Sequence, residues 1–229
     1  MQIQELSVAP FAHHNTLNPS IWDGLALRHD VRHKLLEIAK HFLAYLDQPN
    51  IKLKDITISG SNASYGYSEF SDIDLHLVVK DAAEQEALFS AKKNQYNSTY
   101  DITVKDIPVE LYVQDSDQTH HSAGIYSVLR GQWIKKPSNT APSASPQEIK
   151  RKARNFSSRI NTAIRSGSLQ LAQDTMDELR RLRRAGLEAG GEHNVENLAF
   201  KLLRARGSID KLRKYIDKLT SAGLSLGEE

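Results

Sequence analysis

The 229-residue sequence contains no cysteine. That absence excludes a disulfide framework, thiolate metal sites and a cysteine nucleophile, and it fits a reducing compartment. No apolar run approaches the roughly 20 residues that a membrane span requires. The opening stretch, MQIQELSVAPFAHHN, lacks a basic start followed by an apolar core, so no signal peptide is expected and a soluble cytoplasmic protein is. Aromatic side chains are scarce after residue 146, where only Phe156, Phe200 and Tyr215 occur. Base stacking is therefore not expected in that half.

What is present is ordinary in bulk and uneven in distribution. Apolar residues make up 39% and charged residues 25%, values typical of soluble proteins. The length suits one large domain or two small ones. Residues 1–145 carry 13 basic and 17 acidic side chains, a balance of −4; residues 146–229 carry 17 and 11, a balance of +6. An acidic first half suits metal binding, and a basic second half suits phosphate-rich ligands.

Residues 29–47 predict an amphipathic helix, with Val31, Leu35, Ile38, Phe42 and Leu46 at helical spacing. The segment LKDITIS predicts a strand ending at Gly60, and IDLHLVV (73–79) predicts a second, central one. Residues 82–95 read as helix. YDITV and IPVELYV, separated by Lys105-Asp106, read as a hairpin whose second strand has a weak end at Pro108. Residues 119–135 are mixed and are expected to form a loop with at most one short strand. KPSNTAPSAS (136–145) reads as a linker.

Ser145-Pro146-Gln147-Glu148 has the form of a helix start with a capping box. Helical stripes follow: Ile149, Ala153, Phe156, Ile160 and Ala163; then Ala172, Met176, Leu179 and Leu182. Glycines at 186, 190 and 191 are expected to break the chain before a run on Val195, Leu198 and Leu202, with a further break or kink at Gly207-Ser208. The expected organisation is an α+β domain over 1–135, a linker over 136–145 and a helical domain over 146–229.

The chemistry concentrates in residues 59–75. Asp72 and Asp74, two positions apart on a strand, project from one face with their Cα atoms about 7 Å apart. Such a pair repels itself unless a cation joins it, and magnesium prefers carboxylate oxygens together with phosphate and water. Gly60-Ser61 follows the preceding strand and is expected to open a short helix or turn. Glycine there allows close approach of a phosphate, and the serine hydroxyl and free N–H groups can bind it. Glu110, an acid centred in an apolar strand, needs a partner and is the candidate third carboxylate. Three carboxylates can hold two ions about 3.5–4 Å apart, and Glu110 is also placed to act as general base.

This pattern of Gly60-Ser61, a dozen residues, Asp72-Ile73-Asp74 and a later Glu110 resembles the DNA polymerase β-like nucleotidyltransferase superfamily. GSNASYGYSEFSDIDLHLVV is especially similar to its small bacterial and phage-type members, in which a serine, here Ser71, often precedes the first aspartate. The resemblance covers about residues 30–115 and implies a mixed sheet with flanking helices. It implies two Mg²⁺ ions, with Mn²⁺ able to substitute, held by Asp72, Asp74 and Glu110. It also implies an NTP bound by Gly60, Ser61 and Ser71, and transfer of its NMP to an acceptor hydroxyl. Three differences from the pattern are that the third acid is Glu where many members have Asp, that Asn62–Tyr65 lack the arginine often found there, and that no base-recognition motif is evident, which leaves the nucleotide open.

An RNA end, a protein side chain or a small molecule is compatible with the core as acceptor, and the basic second half leans toward RNA. The helical tail is expected to close over the cleft. The alternatives are a catalytically silent binding or antitoxin-like module, and a nucleotide cyclase or pyrophosphokinase on the same scaffold.

Other residues are read more plainly. Asp115 and Asp117 are reserve candidates for the third acid and otherwise strand terminators. His76 shares the face of the aspartates and is expected to be a hydrogen-bonded core histidine, the alternative being contact with a substrate or orientation of a carboxylate. His13-His14 and His120-His121 lack zinc spacing and are expected at the surface. Arg28 and His33 match a ribonuclease-like Arg-x4-His spacing by two residues alone. The basic groups 150–154, 180–184 and 204–214 read either as solvated helix faces or as a surface for RNA or the triphosphate tail.

Overall fold

The computed structural model describes residues 13–69, 71–118, 122–139 and 145–226. The described residues fall into two compact units, one over 13–139 and the other over 145–226.

The first unit is built on a six-stranded mixed sheet in the order β5-β6-β4-β3-β7-β8. Its strands are β3 (Leu53–Ser59), β4 (Ile73–Val79), β5 (Thr103–Val104), β6 (Ile107–Asp115), β7 (Ile125–Ser127) and β8 (Gln132–Lys135); a small hairpin, β1 (Trp22–Asp23) and β2 (Ala26–Leu27), precedes them. β4 and β6 are parallel, and the other neighbours are antiparallel. A parallel pair needs a crossover. Helix α2 (Glu86–Thr99) and β5 supply it.

Side-chain alternation gives this sheet two unlike faces. Ile56 and Ile58 of β3, Ile73, Leu75 and Leu77 of β4 and Leu111 of β6 are buried in one apolar core. Helix α1 (His29–Leu46) buries the predicted Val31, Leu35, Ile38, Phe42 and Leu46 in the same core. The opposite face carries Asp55, Thr57 and Ser59 of β3, Asp74 and His76 of β4, and Glu110, Tyr112 and Gln114 of β6. All the site chemistry lies on this polar face.

Several sequence expectations are corrected. The described part of 119–135 holds two strands, β7 and β8, which extend the sheet. They are short and interrupted by a bulge between Ile125 and Tyr126, which weakens the period-two signal. Within YDITV only Thr103 and Val104 form strand, pairing with Pro108 and Ile107 across a two-residue turn in which Lys105 and Asp106 occupy left-handed backbone. Residues 82–85 form a 3-10 turn ahead of α2, and α2 runs on to Thr99. The Trp22 region, which shows no periodicity, is packed tightly: Leu17, Ile21 and Trp22 are buried, and Trp22 stacks on Trp133 with ring centroids 4.8 Å apart.

Among the described residues the second unit holds four α-helices, α3 (Pro146–Arg165), α4 (Leu169–Gly190), α5 (Val195–Ala205) and α6 (Ser208–Leu224). The α3 capping box is formed as the sequence predicts: Glu148 N–H donates to Ser145 Oγ at 3.2 Å, and Ser145 N–H donates to Glu148 Oε2 at 3.0 Å. Gly186 does not break the chain. It lies inside α4, where its missing side chain lets the start of α5 approach: a β-carbon there would fall 2.6 Å from Asn194 Oδ1. The chain turns instead at Gly191, in left-handed backbone at φ 67°. Gly207 (φ 69°) separates α5 from α6 as expected.

The molecule is thus α+β, with a mixed sheet, flanking helices and a C-terminal set of helices. No helix among the described residues is long and apolar enough to cross a membrane.

Candidate functional site

Strand register assembles the acids. Asp74 is paired with Ser59 of β3 on one side and with Glu110 of β6 on the other. Asp72 sits one residue before β4 and two before Asp74, so it extends the same face. One carboxylate oxygen from each of Asp72, Asp74 and Glu110 lies within 4.8 Å of the others. All three residues are half-buried. Among the described residues this is the grouping of His, Cys, Asp and Glu able to hold a metal ion.

The donor set suits a hard cation. It is all carboxylate oxygen, the chemistry that Mg²⁺, Mn²⁺ and Ca²⁺ select over softer metals. On an octahedral Mg²⁺ with 2.0–2.1 Å bonds adjacent ligands lie roughly 2.9 Å apart and opposite ones roughly 4.2 Å, so the three carboxylates draw together when they share an ion.

The reserve acids are elsewhere. Asp115 pairs with Val79 at the far end of the parallel ladder, five residues from Glu110 and so roughly 16 Å away. Its carboxylate caps a turn, accepting from the N–H groups of Ala83 and Asp117 at 2.9 Å each. Those N–H groups hold its pKa below the usual carboxylate value. Asp117 accepts from the Ser116 hydroxyl in the same turn.

Gly60 packs directly on Asp74. At φ 74° and ψ −159° it opens a single 3-10 turn over Ser61–Ala63. A β-carbon on Gly60 would fall 1.9 Å from Asp74 Oδ2, so the residue is glycine for space as well as for backbone conformation. Its N–H donates to Ser122 Oγ at 2.8 Å. The Ser61 hydroxyl donates to Ser71 Oγ at 3.0 Å, and Ser68 N–H donates to the same oxygen at 2.9 Å. The Gly-Ser turn and the loop before the acids are thereby joined through two buried serines.

The next residue joins them further. Asn62 is fully buried; its Nδ2 donates to the carbonyl oxygens of Asp72 at 2.8 Å and Ser71 at 3.3 Å. Asn62 Oδ1 accepts from Asn18 Nδ2 at 2.9 Å, and its carbonyl accepts from Trp22 Nε1 at 2.7 Å. Sequence reasoning noted position 62 only as lacking an arginine. Ser122 and Gly124 were missed too, inside a segment with no periodic signal: a β-carbon on Gly124 would meet the Ala63 carbonyl oxygen at 2.0 Å.

One rung below the acids, His76 shares their face but is half-buried there rather than in the core, with Nε2 3.0 Å from Ser59 Oγ. Its ring stacks on Tyr112, centroids 4.8 Å apart, and the Lys93 ammonium stands 4.6 Å from the Tyr112 ring centre. Burial first, and then the charges of Asp74 and Glu110, push the Tyr112 phenol far above its ordinary pKa, so it stays protonated beside the acids. On the other flank, Lys135 Nζ donates to the Ser122 carbonyl at 2.8 Å. Ser122 therefore touches both Gly60 and a cation.

The remaining sequence candidates take structural places. His14 is half-buried rather than at the open surface; it stacks on Tyr67 at 4.0 Å, with Nε2 3.1 Å from the Tyr67 carbonyl oxygen. His13 is hydrogen-bonded to Asn139. His120 and His121 lie outside the described residues. Part of the basic second half is spent on packing: Lys152 pairs with Glu196 at 2.9 Å, Arg159 with Glu178, and Arg183 lies over the Phe200 ring at 5.1 Å. Lys150, Arg151, Arg154, Lys211 and Lys214 stand partly or fully exposed.

No protein-family model matches the chain, and no curated protein does. The solved structure of the STING-associated CdnE c-di-GMP synthase from Capnocytophaga granulosa is similar to it at 13% identity, over 86% of this chain and 84% of that one, with a TM-score of 0.25. A likeness that loose carries no weight for activity, which has to come from the site itself.

Proposed function

We propose that this chain is a metal-dependent nucleotidyltransferase that moves an NMP from an NTP to an acceptor hydroxyl and releases pyrophosphate. The observation that carries the reading is the convergence of Asp72, Asp74 and Glu110 with Gly60 packed against Asp74. A phosphate site and a cation site then share one end of the central strands β3, β4 and β6.

In this reading Asp72 and Asp74 hold two Mg²⁺ ions, Mn²⁺ substituting, and Glu110 completes the acceptor side. The ions supply charge neutralisation on the triphosphate and lower the cost of forming an attacking alkoxide. Glu110 takes the proton of the acceptor hydroxyl. The acceptor oxygen forms a bond to the α-phosphorus as the bridging bond to the β-phosphate breaks, and pyrophosphate leaves with that electron pair. Gly60 and Ser61 hold the β- and γ-phosphates in this reading, their backbone N–H and hydroxyl exchanging the bonds they now make to Ser122 Oγ and Ser71 Oγ for phosphate oxygens. Ser71 acts on that pocket through its hydrogen bond to Ser61. Lys135, anchored on the segment that binds Gly60, supplies the positive charge that residues 62–65 lack. An RNA end is the acceptor favoured by the +6 balance of residues 146–229.

The test is incubation with Mg²⁺ or Mn²⁺, each α-labelled NTP in turn, and separate pools of RNA, protein and small molecules. Label transfer that disappears in Asp74→Asn supports the reading. Absence of both transfer and metal-dependent NTP binding overturns it. Label found in a cyclic dinucleotide or a pyrophosphorylated nucleotide would move the reading to a cyclase or pyrophosphokinase.

A further inference from the structure

Asp72 lies beyond both ladders that hold its neighbours. The β3–β4 pairing ends at Ser59 and Asp74, and the β4–β6 pairing begins at Ile73 and Val109. Asp74 and Glu110 are thus fixed by sheet hydrogen bonds on adjacent strands, while Asp72 sits on the run-in to β4. Its carbonyl is gripped by Asn62.

We infer that Asn62 is a positioning residue for the acid site: it sets the main chain of Asp72 where that carboxylate can join Asp74 and Glu110 around a cation, and Asn18 sets the orientation of the Asn62 amide. The inference rests on the reading of the three acids as a divalent-cation site.

A primary amide has two N–H donors and one oxygen acceptor. Both Asn62 acceptors on the Nδ2 side are carbonyls of the acid loop, Ser71 and Asp72, and the donor on the Oδ1 side is Asn18. Asn18 is itself held: its Oδ1 accepts from Ser20 N–H at 3.1 Å, and its carbonyl accepts from the N–H groups of Ile21 and Trp22. Trp22 then closes on the Asn62 carbonyl. The N-terminal segment around β1 therefore reaches the first acid through one buried side chain. An unpaired amide at this fully buried position would be costly, so the arrangement resists rotation.

The experiment is Mn²⁺ binding without nucleotide, followed by the loss of the free-ion electron paramagnetic resonance signal, on the full chain. The variants are Asn62→Ala, Asn18→Asp, Asp72→Asn and Asn62→Ala combined with Asp72→Asn, with a thermal melt for each. Groups that orient a metal ligand typically contribute about 10–100-fold in affinity, and Asn62→Ala is expected to weaken Mn²⁺ by that order. The same substitution is expected to add no further loss once Asp72 is Asn. A merely structural role would lower the melting temperature in both backgrounds and leave Mn²⁺ affinity unchanged.

Asn18→Asp keeps shape and faces Asn62 Oδ1 with an acceptor, so it favours the inverted amide. It too is expected to weaken Mn²⁺, and it decides the matter if Asn62→Ala does not fold. Wild-type affinity in folded Asn62 and Asn18 variants overturns the inference alone. A wild type that binds no Mn²⁺ overturns the cation-site reading and this inference with it.

Discussion

Gly60 and Asp74 are in direct contact: the place a β-carbon would take on Gly60 lies 1.9 Å from Asp74 Oδ2. The two residues are fourteen positions apart in the chain, beyond the reach of a single turn, and antiparallel pairing of β3 with β4 brings them together. The carboxylate that is central to the proposed cation site therefore rests on the residue that opens the proposed phosphate site. Any side chain at 60 disturbs both.

Gly60→Ala is accordingly expected to lower Mn²⁺ affinity about 10–100-fold by displacing Asp74, the range found for disturbed metal-ligand support. It is also expected to cost about 1–3 kcal/mol of stability, because φ 74° with ψ −159° is backbone that only glycine adopts readily. Metal titration and denaturant unfolding measure the two effects separately.

Glu110 and Asp115 make a contrasting pair on one strand. Glu110→Gln is expected to weaken metal binding and remove label transfer. Asp115→Asn is expected to leave metal affinity unchanged and to lower the melting temperature, since it weakens the cap on Ala83 and Asp117. Equal effects of the two substitutions on Mn²⁺ titration would contradict the assignment of Glu110.

In the helical unit, Gly186→Ala sets two effects against each other. Alanine favours a helix interior over glycine by roughly 0.8–1 kcal/mol. The added carbon, however, falls 2.6 Å from Asn194 Oδ1, which caps α5 by accepting from Glu196 N–H at 2.9 Å. Overpacking costs about 1–3 kcal/mol and a lost cap adds to it, so net destabilisation is expected in urea unfolding.

Acid sensitivity is expected from two carboxylates of that unit. The hydrogen bond from Lys152 holds Glu196 below its ordinary 4.5, and the Ser145 N–H does the same for Glu148. A folded-state pKa below the unfolded one means the stabilisation is present above pH 4.5 and is lost as pH falls through the depressed values. The urea midpoint of the wild type should fall between pH 5 and pH 3, and less steeply in Glu196→Gln. An identical pH dependence in that variant would exclude the Lys152 pair as a source.

The site was legible in sequence where its signals are local. Spacing two along a strand puts Asp72 and Asp74 on one face whatever the rest of the chain does, and an acid inside IPVELYV stands out because its neighbours are apolar. Ser145 and Glu148 cap α3 by contacts three residues apart, and the α1 stripe needs only a 3.6-residue period. These are consequences of backbone geometry over a few residues, so composition and order suffice to state them.

Tertiary structure alone decided the rest. Whether Glu110 or Asp115 meets the aspartates depends on parallel register between β4 and β6, which no local pattern encodes. The grip of Asn62 on Asp72, the reach of Asn18 and Trp22 into that contact, and the arrival of Ser122 at Gly60 each join residues far apart in the chain. Gly186 reads as a break in the sequence because glycine is ambiguous until its neighbour is known; here that neighbour is Asn194, brought close by the turn at Gly191. The acids themselves were written in the sequence, and their support was decided by packing.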